Sequence, residues 1–280
     1  MKRLWIIMMG ACTCWSVAAQ AQFTPEKLGW KLGTQAWSFH QFTFFEAVDS
    51  TLACGLHYIE AFPNQPIGGG IPGKMDYHMS PETRRQILQK LKQKGVTLVS
   101  YGVVVPEGEK EWREMFDFAK AMGLINIVSE PKKADLPLIS RLCDAYHINV
   151  AIHNHPRQSG APYWSPDIVL AAIKGLSPRV GACADIGHWT RSGLNPIECL
   201  RKLQGHIIEL HFKDLNEKSP DAHDVPWGQG VNNIAGVIHE LYRQHFKGVI
   251  SAEYEYDWGH NVHDIQESVA YFRKVVAGLK

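Results

Sequence analysis

The segment Val180-Gly-Ala-Cys-Ala-Asp185-Ile-Gly-His188 carries the pattern that decides the fold. Its first five residues are apolar or small, which is typical of a strand buried on both faces of a parallel sheet. An ionisable residue, Asp185, ends the run, and His188 follows three residues later. Short apolar runs that become ionisable where they end recur along the chain, so this segment represents a repeated unit.

Eight such runs are separated by longer amphipathic stretches, and this alternation indicates β-α units. The runs are Lys31–Trp37, Tyr58–Phe62, Val96–Val104, Ile125–Ser129, Asn149–His153, Val180–Asp185, Ile207–Lys213 and Val249–Glu253. Between the second and third runs, Ser80 fits an N-cap and Pro81 the first helical position, while Gly95 marks the helix end. The dipeptides Ser165-Pro166 and Asn195-Pro196 predict further helices, over Ile168–Leu176 and Ile197–Leu203.

Eight β-α units in about 250 residues predict an α/β chain with one domain, a (β/α)₈ TIM barrel. The main alternative is a doubly wound open sheet, which typically carries a glycine-rich phosphate turn after the first strand. Here Ser-Phe-His-Gln-Phe-Thr follows Trp37, with no glycine. The triplet Gly68-Gly69-Gly70 follows the second run and does not lead directly into a helix. We therefore interpret this triplet as a flexible loop and not as a nucleotide cradle.

The composition excludes several classes of protein. The chain has 280 residues, 45% of them hydrophobic, a net charge of +1 and 14 histidines. This apolar content can form a large core, which excludes a disordered chain. A net charge near zero argues against a nucleic-acid partner, and no segment predicts a membrane span.

The N-terminus predicts a secretory signal peptide over residues 1–21, which leaves a barrel domain over 22–280. Lys2 and Arg3 precede an uncharged stretch, and Ala19-Gln-Ala21 resembles a cleavage site. The apolar stretch is shorter than the roughly 20 residues that a membrane span needs. We expect a secreted or periplasmic protein with a net charge of about −1, because cleavage removes Lys2 and Arg3. A lipoprotein with Cys12 at its start is the less favoured alternative, because Met9 stands where leucine is usual.

The ionisable run ends predict a metal site. In a barrel the carboxyl ends of all strands meet at one face, so these side chains should converge there. Converging buried carboxylates repel one another, and a divalent cation relieves that cost. Carboxylate oxygens with imidazole suit Mn²⁺, Mg²⁺, Co²⁺ or Zn²⁺. The predicted ligands are Glu130, Asp185, His211 and Glu253.

Three segments in combination resemble the xylose isomerase-like barrels, a group that includes sugar epimerases, inosose dehydratases and endonuclease IV relatives. These segments are Asp185-Ile-Gly-His188, His211-Phe-Lys213-Asp214 and Glu253-Tyr-Glu255. The resemblance implies a metal held by Asp185, His211 and Glu253, together with a glutamate from an earlier strand.

That fourth ligand is where the chain departs from its relatives. Many of them carry Glu-Asn-His at the end of the fifth strand, where this chain has His153-Asn154-His155. Either His153 replaces the glutamate, or Glu130 supplies it from the fourth strand. We favour Glu130, which retains the charge balance, and expect His153 and His155 to face the substrate.

The resemblance also implies the chemistry. In the family's isomerases and epimerases, the metal binds adjacent oxygens of a keto-sugar and stabilises an enediolate while a base moves a proton. The candidate bases are Glu130, Glu253, His153 and His155. Lys213 could neutralise an enolate oxygen, or could form a structural ion pair with Glu209 or Glu255. The candidate substrate-binding residues are Trp37, Glu60, His188 and Trp189, with a structural role as the alternative for Glu60.

We therefore expect a secreted, divalent-metal-dependent isomerase or epimerase acting on an unphosphorylated sugar or keto-sugar. One alternative is a lyase or hydratase that acts on a 3-keto-glycoside at the same site. Another is a glycoside hydrolase that uses two carboxylates, such as Glu130 and Glu253. A sugar-binding barrel without catalysis is the last, and a homo-oligomer stays open. The glycine-containing loop 221–230 is expected to close over the site.

Overall fold

Eight parallel strands form a closed barrel in the computed structural model, which describes residues 23–280. In order around the barrel, the strands begin at residues 30, 248, 207, 180, 149, 126, 97 and 58, and the last of these pairs with the first to close the sheet. This confirms the predicted (β/α)₈ barrel. The predicted signal peptide, the cleavage site and Cys12 lie outside the described residues.

The barrel strands are β1 (Trp30–Gln35), β2 (Tyr58–Ala61), β5 (Thr97–Val104), β6 (Asn126–Ser129), β7 (Asn149–His153), β8 (Val180–Asp185), β9 (Ile207–Phe212) and β12 (Gly248–Ala252). Two short hairpins add β3 (Pro66–Gly68) with β4 (Ile71–Lys74), and β10 (Asp214–Leu215) with β11 (Asp224–Val225). The helices are α1 (Phe44–Ala53), α2 (Pro81–Lys94), α3 (Gly108–Met122), α4 (Leu136–Tyr146), α5 (Pro166–Ile173), α6 (Ile186–Arg191), α7 (Pro196–Lys202), α8 (Ile234–Arg243) and α9 (Val262–Ala277).

The first strand ends two residues earlier than its apolar run predicts. The side-chain oxygen of Gln35 accepts the backbone N–H of Trp37 at 2.8 Å, and a 3₁₀ turn over Ala36–Phe39 follows. Trp37 therefore leaves the strand and lies at the mouth of the barrel.

Local capping signals place the helices as predicted. The Ser80 hydroxyl accepts the Thr83 N–H at 3.1 Å, and Gly95 ends α2 with φ of 69°. The Asn195 side chain caps α7 in the same way. Helix α5 ends at Ile173 and not at the predicted Leu176. Gly175, with a φ of 79°, has already left the helical conformation.

Two glycine-containing segments differ from their predictions. Gly68-Gly69-Gly70 forms the turn of the β3–β4 hairpin, so it is more ordered than the predicted loop. The predicted lid 221–230 is anchored, because the Asp214 carboxylate accepts the N–H groups of Gly228 at 2.8 Å and Gly230 at 2.9 Å. A Cβ on Gly230 would lie 2.4 Å from Asp214, so this glycine permits a close contact instead of mobility.

A polar layer crosses the barrel interior below the mouth. Glu209 is fully buried there and accepts hydrogen bonds from Ser100 at 2.7 Å and Asn126 at 2.8 Å. Burial and the nearby Glu60 raise the pKa of Glu209 to about 8. Within residues 23–280, no helix has the length and apolarity that crossing a bilayer requires.

Candidate active site

A cavity of about 340 Å³ opens at the carboxyl ends of the barrel strands. This is the face at which TIM barrels place their active sites. The lining residues are Gln35, Trp37, Phe62, Pro63, Gly102, Val103, His153, His155, His188, Glu253 and Glu255.

Four buried side chains converge beside this cavity, from the adjacent strands β7, β8, β9 and β12. They are His153, Asp185, His211 and Glu253, and one nitrogen or oxygen of each lies within 4.8 Å of the others. The Asn154 amide holds two of these strand ends together, because it donates to the Asp185 carbonyl and accepts the Asp185 N–H, both at 3.0 Å.

Three atoms of this group fit a divalent cation. Asp185 Oδ2, His211 Nδ1 and Glu253 Oε2 are buried and make no well-aligned hydrogen bond to any described residue. His211 Nε2 is already engaged, since it lies 2.8 Å from Glu60 Oε2, so Nδ1 faces Glu253 at 3.1 Å. Buried polar atoms are normally paired, and an imidazole–carboxylate set is one that divalent metals accept.

Glu130 does not join this group, contrary to the prediction. Its carboxylate binds the Nδ1 atoms of both His153, at 3.1 Å, and His155. Burial alone would raise the pKa of Glu130, but these two hydrogen bonds lower it to about 2. Since Nδ1 of His153 faces Glu130, its Nε2 faces Asp185 at 3.7 Å. His153, and not Glu130, therefore lies in the converging group with Asp185, His211 and Glu253.

His188 lines the cavity with a defined orientation. Its Nδ1 lies 3.2 Å from Arg191 Nη1, and its Nε2 lies 3.5 Å from Asp185. Burial lowers the pKa of His188 to about 3, so the ring is neutral near pH 7. A guanidinium can only donate, so Nδ1 accepts and the ring proton lies on Nε2, which faces Asp185.

Lys213 lies beneath the cavity and is not among its lining residues. Its Nζ lies 2.9 Å from each of Asp185, Glu253 and Glu255. Burial disfavours the ammonium, but the three carboxylates raise the pKa of Lys213 well above its usual value. The structure therefore shows an ion pair with Glu255, as one prediction had it, and none with Glu209.

Two predicted substrate-binding residues are placed away from the cavity. Glu60 is fully buried under His211, and Trp189 is 1% exposed within the apolar core. Neither residue lines the cavity, and both side chains are too buried to contact a substrate there. Trp37, at 39% exposure, does line it.

The sequence prediction missed Arg191, which connects several parts of the site. Its guanidinium contacts His188, Glu255 at 2.7 Å and Asp224 at 3.1 Å. Its spacing of three residues from His188 would have placed both on one face of a helix, which is a signal that the sequence did contain. The missed apolar lining, Phe62, Pro63 and Val103, carries no comparable signal because such residues are common at strand ends.

The sequence matches the xylose isomerase-like TIM barrel family over residues 48–275. A comparison with curated proteins finds no significant match. Among solved structures, an uncharacterised protein from Parabacteroides distasonis is 35% identical with a TM-score of 0.73, over 88% of this chain and 99% of that one. A D-tagatose 3-epimerase-like protein is 18% identical with a TM-score of 0.68, over 88% and 98%.

A D-psicose 3-epimerase is 14% identical with a TM-score of 0.68, over 89% of this chain and all of that one. At this identity the likeness concerns the fold alone. The family match, however, extends over most of the chain. The protein belongs to the xylose isomerase-like TIM barrel family.

Proposed function

We propose that the protein is a divalent-metal-dependent isomerase or epimerase of an unphosphorylated sugar or keto-sugar. The observation that carries the proposal is the convergence of Asp185 Oδ2, His211 Nδ1 and Glu253 Oε2, which make ion-pair contacts with one another and with Lys213 but no well-aligned hydrogen bond, beside a cavity lined by three histidines. Several proteins of the same fold with solved structures are sugar epimerases, including the D-psicose 3-epimerase and an L-ribulose 3-epimerase.

The metal would be held by His153, Asp185, His211 and Glu253. When bound, Mn²⁺, Mg²⁺, Co²⁺ or Zn²⁺ would polarise the carbonyl of the substrate and lower the pKa of the neighbouring C–H group. Glu60 would fix the orientation of His211 through its 2.8 Å contact with Nε2.

One group at the cavity wall is placed to carry the proton. The His155 ring is partly exposed, and Glu130 holds its Nδ1, which leaves Nε2 as the proton acceptor. Glu255 stays a carboxylate, because burial is outweighed by nearby positive groups, Lys213 first, which lower its pKa to about 2, and a carboxylate with so low a pKa is a weak base. His188 would donate its Nε2 proton to the oxygen that gains negative charge.

The cavity favours an uncharged substrate. Among the described residues, no lysine or arginine lines it, and the nearby Lys213 and Arg191 are engaged by carboxylates. A phosphate group would meet Glu253 and Glu255 without a lysine or arginine in the lining to bind it. This supports an unphosphorylated sugar.

A lyase or hydratase is the second candidate. A probable 3-DHS dehydratase has the same fold. In this chain His155, once protonated by the substrate, lies where it could return the proton to a departing hydroxyl. The hydrolase alternative is weaker, because a general acid needs a raised pKa and that of Glu130 is lowered to about 2. We also propose that the protein is exported from the cytoplasm, because residues 1–21 resemble a secretory signal peptide.

The test is solvent-deuterium uptake followed by NMR. The purified protein, with and without Mn²⁺, is given D-fructose, D-tagatose, D-psicose and methyl 3-keto-glucoside in D₂O. We expect deuterium at the carbon beside the carbonyl of at least one substrate, and loss of exchange after EDTA treatment. Exchange that survives complete removal of metal, or no exchange with any of the four, would overturn the proposal.

A further inference from the structure

The cavity is divided into two chemically different halves. Residues at the end of β7 and after β7, β8 and β12 form one half, which holds every titratable side chain in the lining: His153, His155, His188, Glu253 and Glu255. Residues from the ends of β1, β2 and β5 form the other half, and we call it the aromatic wall: Gln35, Trp37, Phe62, Pro63, Gly102 and Val103.

The aromatic wall includes one exposed aromatic ring, that of Trp37, which packs against neighbouring rings. Trp37 is 39% exposed, and its ring meets Phe62 edge-on at 5.0 Å between centroids. His40 stacks on Trp37 at 4.8 Å, and Trp258 packs against both, at 6.4 Å from Trp37 and 4.1 Å from His40. The Trp37 ring is therefore held in one orientation by its neighbours while one surface stays open to the cavity.

The only side-chain amide in the aromatic wall, that of Gln35, already makes two hydrogen bonds within the protein. Gln35 donates from its side-chain nitrogen to the Gly102 carbonyl at 3.1 Å and accepts the Trp37 N–H at 2.8 Å. Apart from the Trp37 indole N–H and the second N–H of Gln35, the side chains of this wall offer a sugar hydroxyl no hydrogen-bond partner, so most hydroxyls that faced it would lose water without replacement. The wall instead suits the face of a ring, because aromatic side chains bind flat apolar faces through their area and geometry.

On these observations we propose that the aromatic wall is a binding subsite for a second ring, joined to the reacting sugar by a glycosidic bond. The substrate class is then a neutral glycoside that carries a keto group on the reacting sugar, not a free monosaccharide, and glycosides without the keto group serve as binding probes. This inference rests on the proposed function, because the reacting sugar is taken to occupy the histidine–carboxylate half. The second ring is either an aromatic aglycone or another sugar, which share an uncharged ring face.

The test compares glycosides that differ only in the second ring. Calorimetric titration of the Mn²⁺-loaded and the metal-free protein uses methyl and phenyl β-D-glucopyranoside, the corresponding galactopyranosides, and cellobiose. We expect the phenyl member of at least one pair to bind about fivefold to tenfold more tightly than the methyl member. Cellobiose then distinguishes the sources: tighter binding than methyl glucoside indicates a second sugar, and none indicates an aromatic aglycone.

Substitutions assign the gain to the wall. We expect Trp37→Ala to abolish the phenyl preference while methyl glycoside binding changes less than twofold, and Trp37→Phe to retain most of it. Phe42→Ala is the matched control, because Phe42 is 36% exposed and lies outside the cavity lining. Circular dichroism and thermal unfolding establish that each variant is folded.

Equal binding within every pair, no binding of any probe at millimolar concentration, or an equal loss for methyl and phenyl glycosides in Trp37→Ala would overturn the inference. A failure of the proposed function is distinguishable, since the phenyl preference is measured by binding alone. If the phenyl preference is observed while no sugar exchanges deuterium, the aromatic wall is supported as a binding subsite and the proposed function is overturned.

Discussion

His153 presents its two ring nitrogens to different partners, with Nδ1 at Glu130 and Nε2 at Asp185. A sequence can place both Glu130 and His153 at neighbouring strand ends, because strand position follows from apolar runs. It does not determine which of two nearby side chains is directed at a third, since that depends on side-chain torsions set by the packed neighbours. This is why the strand ends led us to expect Asp185, His211 and Glu253 to converge, as they do, but not that the Glu130 carboxylate would lie against His153 and His155; which residues bind a metal stays a prediction.

We expect His153→Ala to remove bound metal and Glu130→Gln to retain it. The first variant removes a ring nitrogen from the group formed by His153, Asp185, His211 and Glu253. The second keeps the shape of the Glu130 side chain, which contacts His153 and His155 but lies outside that group. Metal content after dialysis against Mn²⁺, measured by elemental analysis, checks this. His155→Ala is the control, because His155 lies outside the group. Metal loss in Glu130→Gln alone would restore Glu130 as the ligand.

Metal affinity is expected to fall as pH falls. Burial would lower the pKa of His211, but the neighbouring Cys183, Glu60 and Glu253 raise it well above the usual value. The imidazolium therefore persists at neutral pH in the metal-free protein, and the cation must displace its proton. We expect affinity to drop about tenfold per pH unit for each proton displaced between pH 8 and 6. Calorimetry in two buffers of different ionisation enthalpy measures this, and a pH-independent affinity would contradict it.

Gly187→Ala is expected to destabilise the fold. A Cβ at this position would lie 2.8 Å from the Lys213 Cβ and 2.9 Å from its Cδ, and Lys213 is fully buried. Overpacking of this kind costs about 1–3 kcal/mol in the free energy of unfolding. Denaturant unfolding of this variant beside Gly259→Ala, whose nearest neighbour is 4.0 Å away, provides the comparison. Equal stabilities would show that Lys213 can move aside.

At the scale of elements, the sequence predicted what is local and missed what depends on distant contacts. Strand runs, N-caps and the glycine at the end of α2 are encoded within a few residues, and the structure confirms them. The segment 221–230 was misjudged because its glycines were interpreted as a source of mobility. Their actual role is to bring backbone N–H groups up to the Asp214 carboxylate, and nothing within the segment itself shows that partner.

Asp214→Ala is expected to release this segment. The substitution leaves the N–H groups of Gly228, Gly230 and Asn232 without their acceptor, a loss of about 2–4 kcal/mol in stability. Hydrogen exchange at these three amides should accelerate more than exchange in the barrel strands. The exposed Asp221→Ala serves as control. Unchanged protection would mean that packing of Trp227 alone holds the segment.

At the scale of the whole molecule, closure was predicted from two features: eight β-α units, the number in a (β/α)₈ barrel, and the absence of a glycine-rich turn after the first strand, which an open doubly wound sheet typically carries. The division of the cavity into two halves was beyond sequence reasoning. It depends on which strand ends face each other across the mouth, and apolar residues near strand ends give no signal of that.

Metal binding is expected to raise the unfolding temperature of the whole chain. A ligand at 100 times its Kd stabilises the native state by about 2.7 kcal/mol, and for a chain of this size this corresponds to about 5–10 °C. Differential scanning calorimetry with Mn²⁺ and with EDTA measures the shift. The His153→Ala variant should show little of it. A similar shift in that variant would place the metal elsewhere.

The two halves of the cavity are also separated along the chain. Every lining residue up to Val103 is non-titratable, and every lining residue from His153 onward is titratable. Substitutions that change which molecules enter can therefore accumulate in the first part of the gene while the reactive groups in the second part stay unchanged. A relative with another preference could be obtained by exchanging the first three β-α loops, so the fold offers a natural crossover point for recombination between members of the family.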